Sequence, residues 1–107
     1  GFTWETQDLA RDIRAAEAAW AKAQDLMADP SFGLVILDEL NIALRYDYLD
    51  LGQVVAALKA RRGDLHVVVT GRNAKPALLE AADLVTEMGA VKHHFSAGVK
   101  AQQGIEF

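Results

Sequence analysis

The sequence predicts an α/β fold in which a parallel sheet is flanked by helices, and three observations carry that expectation. Two apolar runs, Leu34-Val-Ile-Leu37 and Leu65-His-Val-Val-Val-Thr70, have the length and β-branched content of buried strands. Helical stripes separate them, in the alternation helix, strand, helix, strand, helix, strand that characterises parallel sheets joined by crossovers. Polar residues stand at the carboxyl end of both runs, Asp38-Glu39 after the first and Gly71-Arg72-Asn73 after the second. That edge is where open α/β sheets bind ligands.

In chain order, Leu9, Ile13, Ala16, Trp20, Ala23 and Met27 recur at alternating steps of four and three and predict one face of a long helix. Thr6 or Asp8 is its expected amino-terminal cap. Asp29-Pro30 is its expected end, because the residue before proline is pushed out of the helical region. Trp20 belongs to the buried stripe, whereas Phe2 and Trp4 precede the predicted helix. Two residues apart in an extended segment, these two rings can form one apolar plate, or else staple the helix to the sheet.

Leu34 to Leu37 is apolar on both faces, as a central parallel strand needs when helices cover it on both sides. Asp38 and Glu39 at its tip fit a magnesium-nucleotide site like that of phosphate-binding folds, or else a helix cap or surface turn. A glycine-rich Gly-x-x-x-x-Gly-Lys-Ser/Thr loop, the usual companion of such a strand, is absent from Gly1 to Phe107. Ile42 to Leu49 reads as a loop or short helix above the sheet edge, which places Arg45, Tyr46 and Tyr48 near any site. Asp50 and Gln53 form a capping box for a helix that buries Leu51, Val54, Val55 and Leu58. Arg61-Arg62-Gly63 closes it as a solvated carboxyl-terminal cap.

After the second strand, Thr70, Gly71 and Arg72 are expected to line the same crevice as the acids. Arg72 is either a phosphate ligand, through its fork of donors, or an exposed loop cation. Pro76 suits the first turn of a third helix to Ala82 with Leu78 and Leu79 inward, and Asp83 to Met88 is expected to form a third strand. Gly89 to Phe95 reads as a strand end or turn. The adjacent His93 and His94 lack the further ligands that a zinc site requires. Local rules assign no state to the glycine-bracketed tail from Gly98 to Phe107.

The chain suits one domain or part of a larger one. Its net charge of −4 disfavours a nucleic-acid backbone as partner, and no apolar run has membrane-spanning length. The absence of cysteine excludes disulfides, thiolate metal sites and a cysteine nucleophile, and fits a reducing cytosol. No basic-then-apolar leader opens the chain. Gly1 without an initiator Met suggests a trimmed or dissected start, or Met removal. Three strands make a thin sheet, so further strands are expected from additional chain.

Several stretches together resemble the ATP:corrinoid adenosyltransferases over essentially the whole chain. They are Gly1 to Gln7, Leu37 to Asn41, Tyr46 to Leu49, Thr70 to Arg72, Ala82 to Met88, Val91 to His93, Ala97 to Gln102 and Gly104 to Phe107. The resemblance implies a P-loop NTPase-like (RecA-type) parallel sheet, incomplete in this chain because the amino-terminal half with the phosphate loop is missing. It implies transfer of the 5′-deoxyadenosyl group of ATP to a cobalt(I) corrinoid with release of triphosphate, in a cytoplasmic homodimer that an electron-donating flavoprotein could serve. On this resemblance Glu39, with Asp38 beside it, is a ligand of Mg2+. Arg72 contacts phosphate, Asn41 belongs to the nucleotide site, and Phe2 and Trp4 pack against the lower face of the corrin. The alternatives are a non-catalytic module that binds a corrinoid or a protein partner, and a different nucleotide-dependent reaction on the same fold.

Overall fold

The computed structural model describes the backbone of residues 3–89 and 105–107, with side chains described for 7–89 and Phe107. Phe2, the His93-His94 turn and the tail from Gly98 to Gly104 lie outside these residues, as does the side chain of Trp4. The elements run α1 (Thr3–Ala28), β1 (Leu34–Asp38), α2 (Leu40–Arg45), α3 (Leu51–Lys59), β2 (His66–Val69), α4 (Pro76–Ala81) and β3 (Ile105–Glu106). The strands lie in the order β2-β1-β3, and β1 is parallel to both neighbours.

Helix α1 is 26 residues long, about 39 Å at the usual rise. It begins at Thr3, so the expected cap at Thr6 or Asp8 is corrected: both lie inside the helix, and Asp8 instead pairs with Arg11 one turn on. The Trp4 backbone is likewise helical rather than extended. Thr3 to Asp8 contains neither Gly nor Pro, so nothing in the sequence stops the helix from starting at Thr3. The stripe buries Ala16, Trp20, Ala23 and Met27, whereas Leu9, nearer the amino end, is half exposed. At the other end the Asp29 carboxylate accepts the Ser31 N–H across Pro30 at 2.9 Å, and the chain turns toward β1.

In β1 burial alternates, with Val35 and Leu37 at 4% and 0% exposure and Leu34 and Ile36 at 53% and 46%. The expectation of a strand covered on both faces is therefore corrected. Parallel register pairs Val35 with Val67 and Leu37 with Val69 on the core side, and Leu34 with His66 and Ile36 with Val68 on the open side. Val67 and Val69 pack against the core, but Val68 is exposed. One cluster contains the buried residues of α1, β1, α2, α3 and α4, so among the described residues the apolar contacts gather on one side of the sheet.

Asp50 caps α3 as expected, its carboxylate accepting the Gln53 N–H at 3.0 Å. Val54 and Leu58 are buried, and Leu51 and Val55 pack at the margin of the core. Of the cap expected at Arg61-Arg62, Arg61 serves the end of α3 and Arg62 does not. Arg61 donates through Nη1 to the Leu58 carbonyl at 2.9 Å and through Nε to the Leu65 carbonyl at 3.1 Å. Arg62 reaches away from its own helix, donating through Nε to the Met27 carbonyl and through Nη2 to the Asp29 carbonyl, each at 3.1 Å, and through Nη2 to the Phe32 carbonyl. It thus caps the carboxyl end of α1, where the Met27 carbonyl has no helical N–H to accept, while the Asp29 carbonyl also accepts the Phe32 N–H at 3.1 Å.

Helix α4 starts at Pro76 and buries Leu78, but Leu79 stays 41% exposed, contrary to expectation, because a helix of six residues offers one inward position per turn. The strand expected over Asp83 to Met88 does not form. Leu84 and Met88 are 83% and 88% exposed, and the segment has no ladder partner. A strand requires a neighbour to pair with; β1 is paired on both edges, by β2 and by the tail residues Ile105-Glu106, and residues 83–88 lie along neither outer edge of the described sheet.

Candidate functional site

Strand β1 ends because the chain turns sharply at Glu39, the amino-terminal cap of α2, with φ 62° and ψ 22°. A non-glycine residue in that left-handed region costs roughly 1–2 kcal/mol, so its surroundings must hold it there. Thr70, just beyond β2, provides much of that restraint. Its N–H donates to the Leu37 carbonyl at 3.2 Å and extends the ladder, while its Oγ1 accepts the Glu39 N–H at 3.0 Å. The same hydroxyl donates to Asp38 Oδ1 at 2.6 Å, the length of a charge-assisted bond. On the far side of the bend the Ile42 N–H donates to the Glu39 carbonyl at 3.0 Å, and the Phe107 N–H donates to the Asp38 carbonyl at 3.0 Å.

Both acids are half-buried. Alternation along the strands puts Asp38 and Thr70 one step beyond the Ile36 and Val68 pair, so the acidic tip begins where the open apolar face ends.

Asn41, in the first turn of α2, is 6% exposed, and its Oδ1 is buried with no hydrogen-bond partner. A bare buried acceptor costs about 1–3 kcal/mol, which a donor from a ligand or a water would recover. Gly71 lies directly against it. At φ +134° the position suits only glycine, and a Cβ there would come 2.7 Å from Asn41 Cβ. The loop after β2 can approach α2 this closely only because residue 71 has no side chain.

The structure therefore brings Asp38, Glu39 and Asn41 together at the carboxyl edge of the sheet with Thr70 and Gly71. Arg72 follows in the same loop, exposed and without an ion pair to either acid among the described residues. Arg45, Tyr46 and Tyr48 form their own stack at the end of α2, with tyrosine ring centroids 5.8 Å apart and the Arg45 guanidinium 5.6 Å from the Tyr46 ring. Tyr48 also lines a cleft of about 370 Å³ with Trp20, Glu17 and Gln53. Trp4 is placed only as part of the first turn of α1.

The two-way role of the Thr70 hydroxyl was not foreseen; its only sequence signal is a threonine ending the second strand in register with an aspartate ending the first. Two adjacent carboxylates are too few for an all-protein metal cage, and among the described residues no group of three or more His, Cys, Asp or Glu could hold an ion. They do fit Mg2+, which takes one or two carboxylates and completes its shell with water and phosphate oxygens.

Comparison with known proteins extends across the whole chain. The family model described as ATP:corrinoid adenosyltransferase BtuR/CobO/CobP matches residues 1–107. A corrinoid adenosyltransferase of Pseudomonas aeruginosa is 64% identical over 107 residues, all of this chain and 53% of the relative. One from Sinorhizobium is 60% identical over 108 residues, 50% of that protein, and corrinoid adenosyltransferase CobA of Salmonella typhimurium is 48% identical over 107 residues, 55% of its length. The chain thus spans about half the length of the curated relatives it matches. With a match that runs from Gly1 to Phe107, this chain belongs to the ATP:corrinoid adenosyltransferase family.

Proposed function

We propose that the intact protein carrying this chain transfers the 5′-deoxyadenosyl group of ATP to the cobalt(I) centre of a corrinoid and releases triphosphate. The observation that carries the reading is the acidic tip of β1: Glu39 held in a left-handed bend beside a hydrogen-bonded Asp38, within a chain that the family matches throughout. Cobalt(I) is itself the nucleophile: its electron pair forms the bond to C5′ as the C5′–O bond breaks, and the pair of that C5′–O bond leaves on the triphosphate oxygen. The protein then needs no nucleophile of its own, consistent with a chain that has no cysteine. Its work is positioning and electrostatic stabilisation in a water-excluded site.

On this reading Glu39 and Asp38 hold Mg2+, which when bound screens the negative charge of the triphosphate. Arg72, exposed on the loop after β2, meets a phosphate oxygen. The buried Asn41 acceptor takes a hydrogen bond from the nucleotide or its water shell. Phe2 and Trp4 lie against the lower face of the corrin. The fold is then the P-loop (RecA-type) one, with the phosphate loop supplied by the half of the relatives' length that this chain does not span. The homodimer, the cytoplasmic setting and the flavoprotein electron donor rest on the family resemblance.

The test is anaerobic incubation of the intact protein with ATP, Mg2+ and chemically reduced corrinoid. The expected result is loss of the cobalt(I) absorbance with formation of a light-sensitive adenosylated product. Glu39→Gln, which removes charge at constant volume, should slow the reaction on the order of 10²-fold, about 3 kcal/mol of transition-state stabilisation. No product from the wild-type protein refutes the reaction, and near-normal turnover of Glu39→Gln removes Glu39 from the metal site.

A further inference from the structure

We propose that Thr70 is a positioning residue for the acidic tip, its one hydroxyl presetting both carboxylates for a divalent cation. The role rests on the reading of Asp38 and Glu39 as metal ligands. The hydroxyl has one proton to give and two lone pairs to offer. The proton goes to Asp38 Oδ1 at 2.6 Å, and a lone pair takes the Glu39 N–H at 3.0 Å. One side chain just beyond β2 therefore fixes two things at the end of β1: the orientation of the Asp38 carboxyl plane and the left-handed backbone bend at Glu39.

The two acids are consequently not equivalent. Asp38 has one oxygen committed to Thr70, which leaves Oδ2 available. Glu39 is restrained through its backbone, and its carboxylate has no hydrogen-bond or ion-pair partner among the described residues. A cation arriving with phosphate and water would meet an Asp38 carboxyl plane and a Glu39 backbone that are already fixed, so less ordering remains to be done on binding. Hydrogen bonds from outside the coordination shell have this effect in metal sites generally, and losing one typically weakens metal binding 10- to 100-fold.

Valine, serine and alanine at position 70 separate the hydroxyl from its shape. Thr70→Val keeps the volume and removes both hydrogen bonds. Thr70→Ser keeps the hydroxyl and loses a methyl, and Thr70→Ala loses both. The experiment titrates Mn2+ into the intact protein in the presence of ATP and follows free manganese by electron paramagnetic resonance, a readout independent of turnover. Thr70→Val and Thr70→Ala should weaken Mn2+ binding on the order of 10-fold or more, and Thr70→Ser should stay within about 3-fold of wild type. In turnover, the Mg2+ concentration for half-maximal rate should rise in parallel, with the rate at saturating Mg2+ much less affected.

Wild-type affinity in Thr70→Val overturns the proposal, and so does an equal loss in Thr70→Ser and Thr70→Val, which would make the position a packing site alone. A wild-type protein that binds no manganese overturns it too. Manganese binding that depends on Thr70 in a protein that forms no adenosylated corrinoid supports the positioning role while refuting the proposed reaction.

Discussion

Replacing Arg62 by alanine tests how the end of α1 is tied to the rest of the fold. Its guanidinium makes two hydrogen bonds of 3.1 Å, to the carbonyls of Met27 and Asp29, besides the contact with the Phe32 carbonyl. Hydrogen bonds from a charged donor contribute about 1.5–3 kcal/mol each, so the two well-formed bonds bound the loss at roughly 3–6 kcal/mol. Side-chain freedom recovered on truncation returns up to about 2 kcal/mol, and water can reach some of the released carbonyls because the Arg62 side chain is 23% exposed. The ion pair to Asp64, 3.5 Å long with its partner 79% exposed, adds little.

The expected destabilisation is therefore about 2–3 kcal/mol, read as a lower urea midpoint at unchanged slope when the intact protein is unfolded and followed by circular dichroism at the helix band. Arg62→Lys keeps the charge but loses the planar fork that reaches several carbonyls at once, and should recover less than half of the loss. A change below about 0.5 kcal/mol in Arg62→Ala, the range of an ordinary surface substitution, would refute the capping role. Full recovery in Arg62→Lys would show that charge at the helix end, rather than fork geometry, supplies the stability.

Two further predictions concern other tight turns. Gly71→Ala should destabilise the intact protein by about 2–4 kcal/mol in the same urea assay, combining an unfavourable backbone at φ +134° with a Cβ 2.7 Å from Asn41 Cβ. Asn41→Ala should not relieve it, because the clashing atom remains, and a loss under about 0.5 kcal/mol would show that the loop simply moves away. The hydrogen bonds from Ser31 hold the Asp29 carboxyl below its ordinary pKa of 3.8, the backbone N–H contributing most and the Arg62 charge least. With its folded value depressed, Asp29 stabilises the fold above 3.8 and loses that contribution as pH falls through the lower folded value. Asp29→Asn should flatten the pH dependence of stability in that acid range, whereas a titration by nuclear magnetic resonance that places Asp29 at or above 3.8 would refute it.

The features legible in the chain alone are local. The stripe from Ala16 to Met27 required a helix with Trp20 inward, Pro30 required its end nearby, and Asp50 with Gln53 marked the start of α3 to the residue. Two β-branched runs tipped by polar residues placed Asp38, Glu39 and Thr70 at one edge, since parallel strands joined by helices must end on the same side. These features follow from periodicity, caps and chirality, which act over a few residues.

Tertiary structure decided everything that needed a distant partner. Asp83 to Met88 has as good a strand pattern as Ile105-Glu106, yet the tail takes the edge of β1, because pairing depends on which backbone is adjacent and not on the pattern alone. Leu34 and Ile36 are as apolar as Val35 and Leu37, but only the second pair has the core packed on it, so apolar character alone did not reveal coverage. Arg62 looked like any basic residue after a helix, and its acceptors lie 30 to 35 positions away in sequence. The same is true of the site: Thr70 acts on Asp38 and Glu39 across 32 and 31 positions, a contact that exists only once β2 lies beside β1.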